Sequence, residues 1–331
     1  MRKKWIRGGI FLCLVLLLLS NLNRILCVKS PHGVDQTRYL YVQPKNKIDV
    51  LFLGSSHVHC NVNTQLLWDE YGMAAYLMTG AEQPLWNSYY NLKEALKTQK
   101  PKLVVLDMFC PSRFYDDFQP GWADENLDGM RISLNKLEAV YTSVQEEQSH
   151  FFLGFTEYHS RYDQLTTEDF QNFVWNRKTQ ERWKGYTPLN RHAELTERDM
   201  SHVTTSQEMT EKSKEYFEKI VELTKKEGIA LALISGPYLL EESDQEVYNS
   251  IGQLAEKDGL LFWNTNTPAH YWEMGLDFST DYADHAHLNE AGGAKYTAYL
   301  GKWLSQNYSF PDRRGQKGYE SWENQLMKSG E

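Results

Sequence analysis

The sequence predicts an α/β protein: a three-layer sandwich with a five-stranded parallel sheet, a helical insertion and an N-terminal membrane anchor. Three observations predict it. Apolar runs of strand length alternate with amphipathic segments of helical length, and that alternation builds a parallel sheet with helices on both faces. The runs are solid rather than alternating, as strands covered on both faces require. The first 27 residues are basic, then apolar.

"IDVLFLG" (48–54) is the first strand, followed by a short helix "NTQLLWDEYG" closed by Gly72. "AAYLM" (74–78) is the second strand, and "PLWNSYYNLKEALKTQ" (84–99) a helix with Pro84 near its first turn, where a missing N–H does no harm. "KLVVLDMF" (102–109) is the third strand. After a long interruption, Thr205 and Glu208 read as a capping box for a helix with Tyr216, Phe217, Ile220 and Val221 on one face, ended by Gly228. "IALALIS" (229–235) and "LLFWN" (260–264) are the fourth and fifth strands, flanking a helix at 243–259, and "LNEAGGAKYTAYLGKWLSQ" (288–306) is the final helix.

The interruption at about 112–204 is polar but rich in aromatics: Trp122, Tyr141, Phe151, Phe152, Phe155, Tyr158, Trp175, Trp183 and Tyr186. Its segments "SLNKLEAVYTSVQEEQ" and "TTEDFQNFVWNRKTQERW" look helical. Inserted after the carboxyl end of a strand, it should overhang the edge where α/β proteins bind ligands. Its aromatics would then stack on sugar rings or shape an acyl pocket, or else form the core of a small lobe. Residues 28–46 read as a polar stalk, 47–310 as the α/β domain carrying this cap, and 311–331 as a charged tail with Tyr319 and Trp322 to anchor it.

The chain of 331 residues is 41% hydrophobic and 24% charged, a globular composition. Residues 1–27 carry five basic side chains and no acid, which leaves 30 basic against 44 acidic residues, or −14, for the remainder. Such a surface repels phosphates, so no nucleic-acid partner is expected. The apolar stretch from Trp5 to Leu22 approaches the ~20 residues that span a bilayer. Small residues are misplaced for cleavage: Leu18 stands two before Ser20, Pro31 follows Ser30, and Arg24-Ile25-Leu26 before Cys27 is no lipobox. Residues 1–27 therefore read as an uncleaved signal-anchor, basic end inside, with the domain on the extracytoplasmic side. Four cysteines follow no framework; whether Cys60 and Cys110 pair is open.

Chemistry concentrates in "DVLFLGSSHVHC" (49–60) and "DYADHAHLNEAGG" (281–293). Ser56 sits just past the first strand, where a hydroxyl stands at the sheet's carboxyl edge among backbone N–H groups. A serine needs a base and the base an orienting carboxylate; Asp284 and His287, three apart in one short loop, supply both.

Gly54-Ser55-Ser56-His57 with Asp284-His285-Ala286-His287-Leu288-Asn289 resembles the first and last blocks of the SGNH/GDSL hydrolase superfamily, whose sheet is flavodoxin-like. The resemblance runs over roughly 47–306 in element order, though only the two ends carry specific motifs. The Gly-Ser-Ser variant and the anchor look most like exported cell-envelope members: the D-alanine transfer protein of teichoic acids and the alginate and peptidoglycan O-acetyltransferases. The resemblance implies Ser56 as nucleophile, His287 as general base, Asp284 as its orienter, and an oxyanion hole from the N–H groups of Ser56 and Gly80. It implies no cofactor and no metal. It further implies an esterase or O-acyltransferase whose partner is an acylated glycan or acyl-donor protein of the cell envelope. The third block departs: the usual Gly-x-Asn-Asp is replaced by "DMFCPSRF", leaving Gln83, Asn87 and Ser112 as possible donors.

Other readings exist. His57-x-His59 with Cys60, Asp284, His285 and His287 could ligate zinc, but an amidohydrolase-type barrel needs eight strand–helix units, and five strands are counted. A non-catalytic glycan-binding protein on the same frame would leave the serine idle. The wide acid–histidine spacing of α/β-hydrolases is absent.

Overall fold

The computed structural model describes residues 2–26, 33–113, 117–118, 121–152, 159–171 and 184–323. Five parallel strands, β1 Val50–Gly54, β2 Ala75–Thr79, β3 Leu103–Asp107, β4 Ala230–Ser235 and β5 Leu261–Asn264, form one sheet in the order β2-β1-β3-β4-β5. The solid apolar runs split by residue parity between two cores. Leu51, Leu53, Val104, Leu106, Leu231 and Leu233 face one; Val50, Phe52, Leu103, Val105, Ala232 and Ile234 face the other. Period-two side-chain alternation with both faces buried is why no polar residue interrupts them.

The helices, in chain order, are α1 Arg2–Leu26, α2 Val34–Leu40, α3 Ser56–His59, α4 Thr64–Tyr71, α5 Leu85–Ala95, α6 Phe109–Arg113, α7 Ala123–Leu127, α8 Leu134–Ser143, α9 Thr167–Gln171, α10 Glu211–Glu227, α11 Glu242–Asp258, α12 Pro268–Met274, α13 Glu290–Asn307 and α14 Glu320–Glu323. Side chains of α5, α10 and α11 fill the first core, and those of α12 and α13 the second. In this strand order the chain reverses direction between β1 and β3, and ligands sit beside the carboxyl ends there. That position belongs to Ser55 and Ser56 after β1 and to α6 after β3.

Three expectations are corrected. The Thr205–Glu208 capping box does not form. Thr205 Oγ1 donates to Glu246 Oε1 at 2.6 Å, and Gln207 N–H to the Glu246 carbonyl at 3.0 Å. The stretch is thus tied to α11, and α10 starts later, with the Thr210 side chain accepting from Ser213 N–H. Residues 33–46 are no free stalk: α2 buries Val34, Gln36 and Leu40 against the domain, with Tyr76 Oη donating to the Gln36 carbonyl at 2.6 Å. The described insertion has no core of its own, since Ala123, Leu127, Ala139, Val140 and Phe151 join the first sheet core. Trp122 and Tyr141 are exposed, and Tyr186 enters the second core. Phe155, Tyr158, Trp175, Trp183, most of the helix expected over 166–183, and Cys27 with the first residues of the stalk lie outside the described residues.

The tail folds back. Arg313 grips Asp49 through two bonds of 2.7 and 2.9 Å. Trp322, fully buried, donates its indole N–H to the Ala75 carbonyl at 3.0 Å, giving an edge-strand acceptor the partner it would otherwise lack. At the other terminus, α1 has an apolar window, Lys3–Asn23, long enough to cross a membrane and not buried in the protein.

Candidate active site

Two loops far apart in sequence meet at the carboxyl edge of β1. On the first, Gly54 takes φ 150° with Asp107 packed where a Cβ would stand, so only glycine lets the chain turn there. Ser55 caps α3, its Oγ accepting from His57 N–H at 3.2 Å. Asp107 binds Ser55 twice, accepting from its Oγ at 2.9 Å and its N–H at 3.3 Å. The Ser56 N–H has no acceptor among the described residues.

The second loop is a tight turn held by the Tyr282–Leu288 bridge and by Ala283 N–H donating to the His287 carbonyl at 2.9 Å. Asn289 then caps α13, accepting from Ala291 and Gly292 N–H. The loops are pinned together by Asn61, which accepts from Leu288 N–H at 3.1 Å through its side chain and from Thr297 Oγ1 at 3.0 Å through its carbonyl.

This scaffold leaves Ser56 Oγ 2.7 Å from His287 Nε2, and His287 Nδ1 2.9 Å from Asp284 Oδ1. Asp284 Oδ1 also accepts from the N–H groups of Ala286 and His287 at 2.9 and 3.0 Å, while Oδ2 meets Arg191 Nη2 at 2.8 Å. Burial raises the Asp284 pKa, but the hydrogen bond and charge of His287, the Ala286 N–H and the Arg191 guanidinium outweigh it. They hold the carboxyl well below the usual carboxylate range, so Asp284 is an anion throughout ordinary pH. An anion on Nδ1 fixes the imidazole with its Nε2 lone pair toward the serine hydroxyl.

Ser56 and His287 open onto a cleft of ≈ 320 Å³ lined also by His57, Glu82, Phe109, Arg113, His285 and Ala286, with Asp284 behind the imidazole. Arg113 is held by Asp244 at 3.1 Å. None of the described insertion aromatics lines the cleft, and Phe155, Tyr158, Trp175 and Trp183 lie outside the described residues; Phe109, at the end of β3, is the aromatic in the described lining. Gly80, the expected second oxyanion donor, gives its N–H to the Gly54 carbonyl at 3.3 Å, one rung beyond the β1–β2 ladder, and is not a free donor. Two of the other candidate donors are engaged elsewhere: Gln83 Nε2 binds Ser88 Oγ and Ser112 Oγ donates to the Phe109 carbonyl, while Asn87 is tied through its Oδ1, which accepts from Ser143 Oγ.

The histidine-rich segments do not converge as ligands. His59 turns away to Thr79 Oγ1 at 3.2 Å, and among the described residues no three His, Cys, Asp or Glu side chains form a metal-binding group. Cys60 and Cys110 are buried free thiols; burial pushes Cys60 up to about 12.

Sequence reasoning missed Asp107, Arg113 and Arg191. Asp107 carried a signal, a carboxylate closing an apolar strand beside the serine turn; the two arginines carried none. Burial pushes Asp107 up to about 6, against the hydrogen bonds from Ser55 and Phe109. Because its folded pKa lies above its unfolded value of about 3.9, the folded state holds the extra proton. Stability from this group is complete below about pH 4 and falls as pH rises through about 6, by roughly 3 kcal/mol at most. Asp107→Asn should flatten that fall: the variant gains stability relative to wild type between pH 4 and 7 in urea titrations. A constant difference across that range would contradict the assignment.

No family model and no curated protein matches the sequence. Among solved structures, a Bacteroides fragilis protein described as a candidate acylhydrolase is similar, at 14% identity over 81% of this chain and 95% of that one, with a TM-score of 0.38. A likeness that low leaves the chemistry to be read from the site itself.

Proposed function

We propose that the chain is a serine esterase or O-acyltransferase of the SGNH/GDSL type, held to the membrane by α1. Its domain would lie on the extracytoplasmic side, acting on acyl groups of a cell-envelope polysaccharide. The carrying observation is the unbroken relay Ser56 Oγ–His287 Nε2, 2.7 Å, and His287 Nδ1–Asp284 Oδ1, 2.9 Å, at the mouth of a cleft. Those are hydrogen-bond distances for a nucleophile, its base and an orienting carboxylate.

In this reading Ser56 Oγ attacks the acyl carbonyl carbon while His287 Nε2 takes its proton. The bond from that carbon to the donor alcohol breaks, and His287 returns the proton to the leaving oxygen. Water or a sugar hydroxyl then gives a proton to His287 and attacks the acyl-serine; Ser56 regains the proton as the C–Oγ bond breaks. Negative charge on the carbonyl oxygen meets the Ser56 N–H. A cleft of ≈ 320 Å³ stands at the small end of ligand sites, which supports a short acyl group. The basic start of α1 and the acidic remainder support the membrane orientation and a partner other than nucleic acid.

One observation favours a second reading. With the Gly80 N–H engaged and the third sequence block absent, the frame could bind glycan with an idle serine. A fluorophosphonate separates the two. The wild-type protein should gain one adduct, located by peptide mass at Ser56; an intact protein that takes no adduct after prolonged exposure would leave the glycan-binding reading.

A further inference from the structure

We infer that His57 is a substrate-contacting residue, whose imidazole hydrogen-bonds the alcohol oxygen that carries or receives the acyl group. The inference rests on the serine acyl-transfer reading. His57 is 2% exposed, and neither ring nitrogen has a hydrogen-bond partner among the described residues. Its ring is sandwiched in place: stacked on Phe109 at 3.6 Å between centroids, edge-on to Tyr238 at 5.0 Å, and 5.3 Å from the His287 ring. It forms part of the wall of the cleft onto which Ser56 and His287 open.

Leaving buried polar atoms unpartnered is destabilising, and a phenyl ring would satisfy the same stacking without that cost. A histidine is favoured there only if something in the cleft meets its nitrogens. Burial, then the charges of His287 and Arg113, push its pKa well below the ordinary value, so the ring is neutral. A neutral imidazole offers one donor and one acceptor, the complement of a hydroxyl group.

Position selects which substrate oxygen it meets. Gly80 lies beyond β2 on one side of Ser56, whereas His57, Phe109 and Tyr238 lie toward β3 and β4, beside His287. The oxygen that must approach His287 is the alcohol's, which receives its proton on departure or gives one up on attack. A contact from His57 to that oxygen would align it with Nε2, and would matter little when the leaving group departs without help.

The test compares leaving groups. In His57→Phe, which keeps the stack, fluorophosphonate labelling and the p-nitrophenyl acetate burst should stay within about twofold of wild type. Deacetylation of glucose pentaacetate, whose sugar oxygens leave poorly, should fall roughly 10- to 100-fold, the worth of one or two hydrogen bonds. His57→Gln should recover part of that loss, and the melting temperature of His57→Phe should equal or exceed that of wild type. Equal losses on both esters would overturn the inference by assigning the ring to the acyl carbonyl or to general shape. No loss on either would overturn it as a packing residue. Failure of the wild-type protein to label at all would overturn the acyl-transfer reading itself, a result separate from any His57 variant.

Discussion

Ser56→Ala is expected to lower ester turnover by roughly 10⁴-fold or more and to abolish the fluorophosphonate adduct. The size follows from what is removed. On the proposed mechanism no acyl-enzyme forms without Oγ, and only the residual catalysis of binding and the residue-56 N–H would survive, as with nucleophile deletions in serine hydrolases. The substitution is mild for the fold. Ser56 is half-buried, and its Oγ bonds only His287 among the described residues, so the stability change should stay within about 0.5 kcal/mol, typical of such sites. Steady-state hydrolysis of p-nitrophenyl acetate beside a urea titration separates lost chemistry from lost structure. Turnover within tenfold of wild type from a folded variant would remove Ser56 from the mechanism.

Asp284→Asn should cost roughly 10³- to 10⁴-fold in kcat with little change in shape. An asparagine can still accept from the N–H groups of Ala286 and His287 that now bind Oδ1. It cannot supply the anion that holds the proton on Nδ1 and that, on the proposed mechanism, would stabilise the imidazolium formed when Ser56 is deprotonated. The Arg191 contact at 2.8 Å becomes unfavourable too, since the guanidinium loses its countercharge. The pH dependence is distinctive. The wild-type carboxyl is held well below the usual range, so its pairing with His287 and Arg191 is complete above about pH 4 and fades only as pH falls further. Raising the pH therefore should not rescue the variant. A pH–rate profile of Asp284→Asn that recovers wild-type kcat at any pH between 6 and 9 would show that this carboxylate orients nothing.

Both predictions depend on a meeting of residues 231 positions apart, and the sequence anticipated that meeting only in outline. The strands β1 to β3 were legible because each is buried on both faces: Val50 to Leu53 contribute to two cores at once, and that demand leaves an uninterrupted apolar run. Ser56 was legible as a polar residue at the carboxyl end of such a run, and Asp284 with His287 as a local pair. The final helix was legible as a segment of helical length, and Asn289, which the sequence reading did not single out, caps it with local bonds.

Where the outcome was set by partners distant in sequence, local patterns misled. Thr205 and Glu208 read as a cap, yet α11 offered Thr205 a better acceptor in Glu246. Gly80 read as an oxyanion donor, yet the sheet extended by one rung and engaged its N–H. The insertion read as an overhanging cap or as a lobe with its own core, yet the first sheet core still had a face to cover, and α7 and α8 cover it.

What the sequence determined by itself is the order of the strands and of the main helices, with Ser56, His287 and Asp284 marked as candidates, because burial period and short-range pairing are written within a few residues. What only the tertiary structure decided is the distance between Ser56 and His287, the Arg191 clamp on Asp284, the buried Asp107 beneath Ser55 and the His57 nitrogens left without hydrogen-bond partners among the described residues. Each depends on which segments the sheet order and the Asn61 pin bring side by side, and no local pattern encodes that pairing.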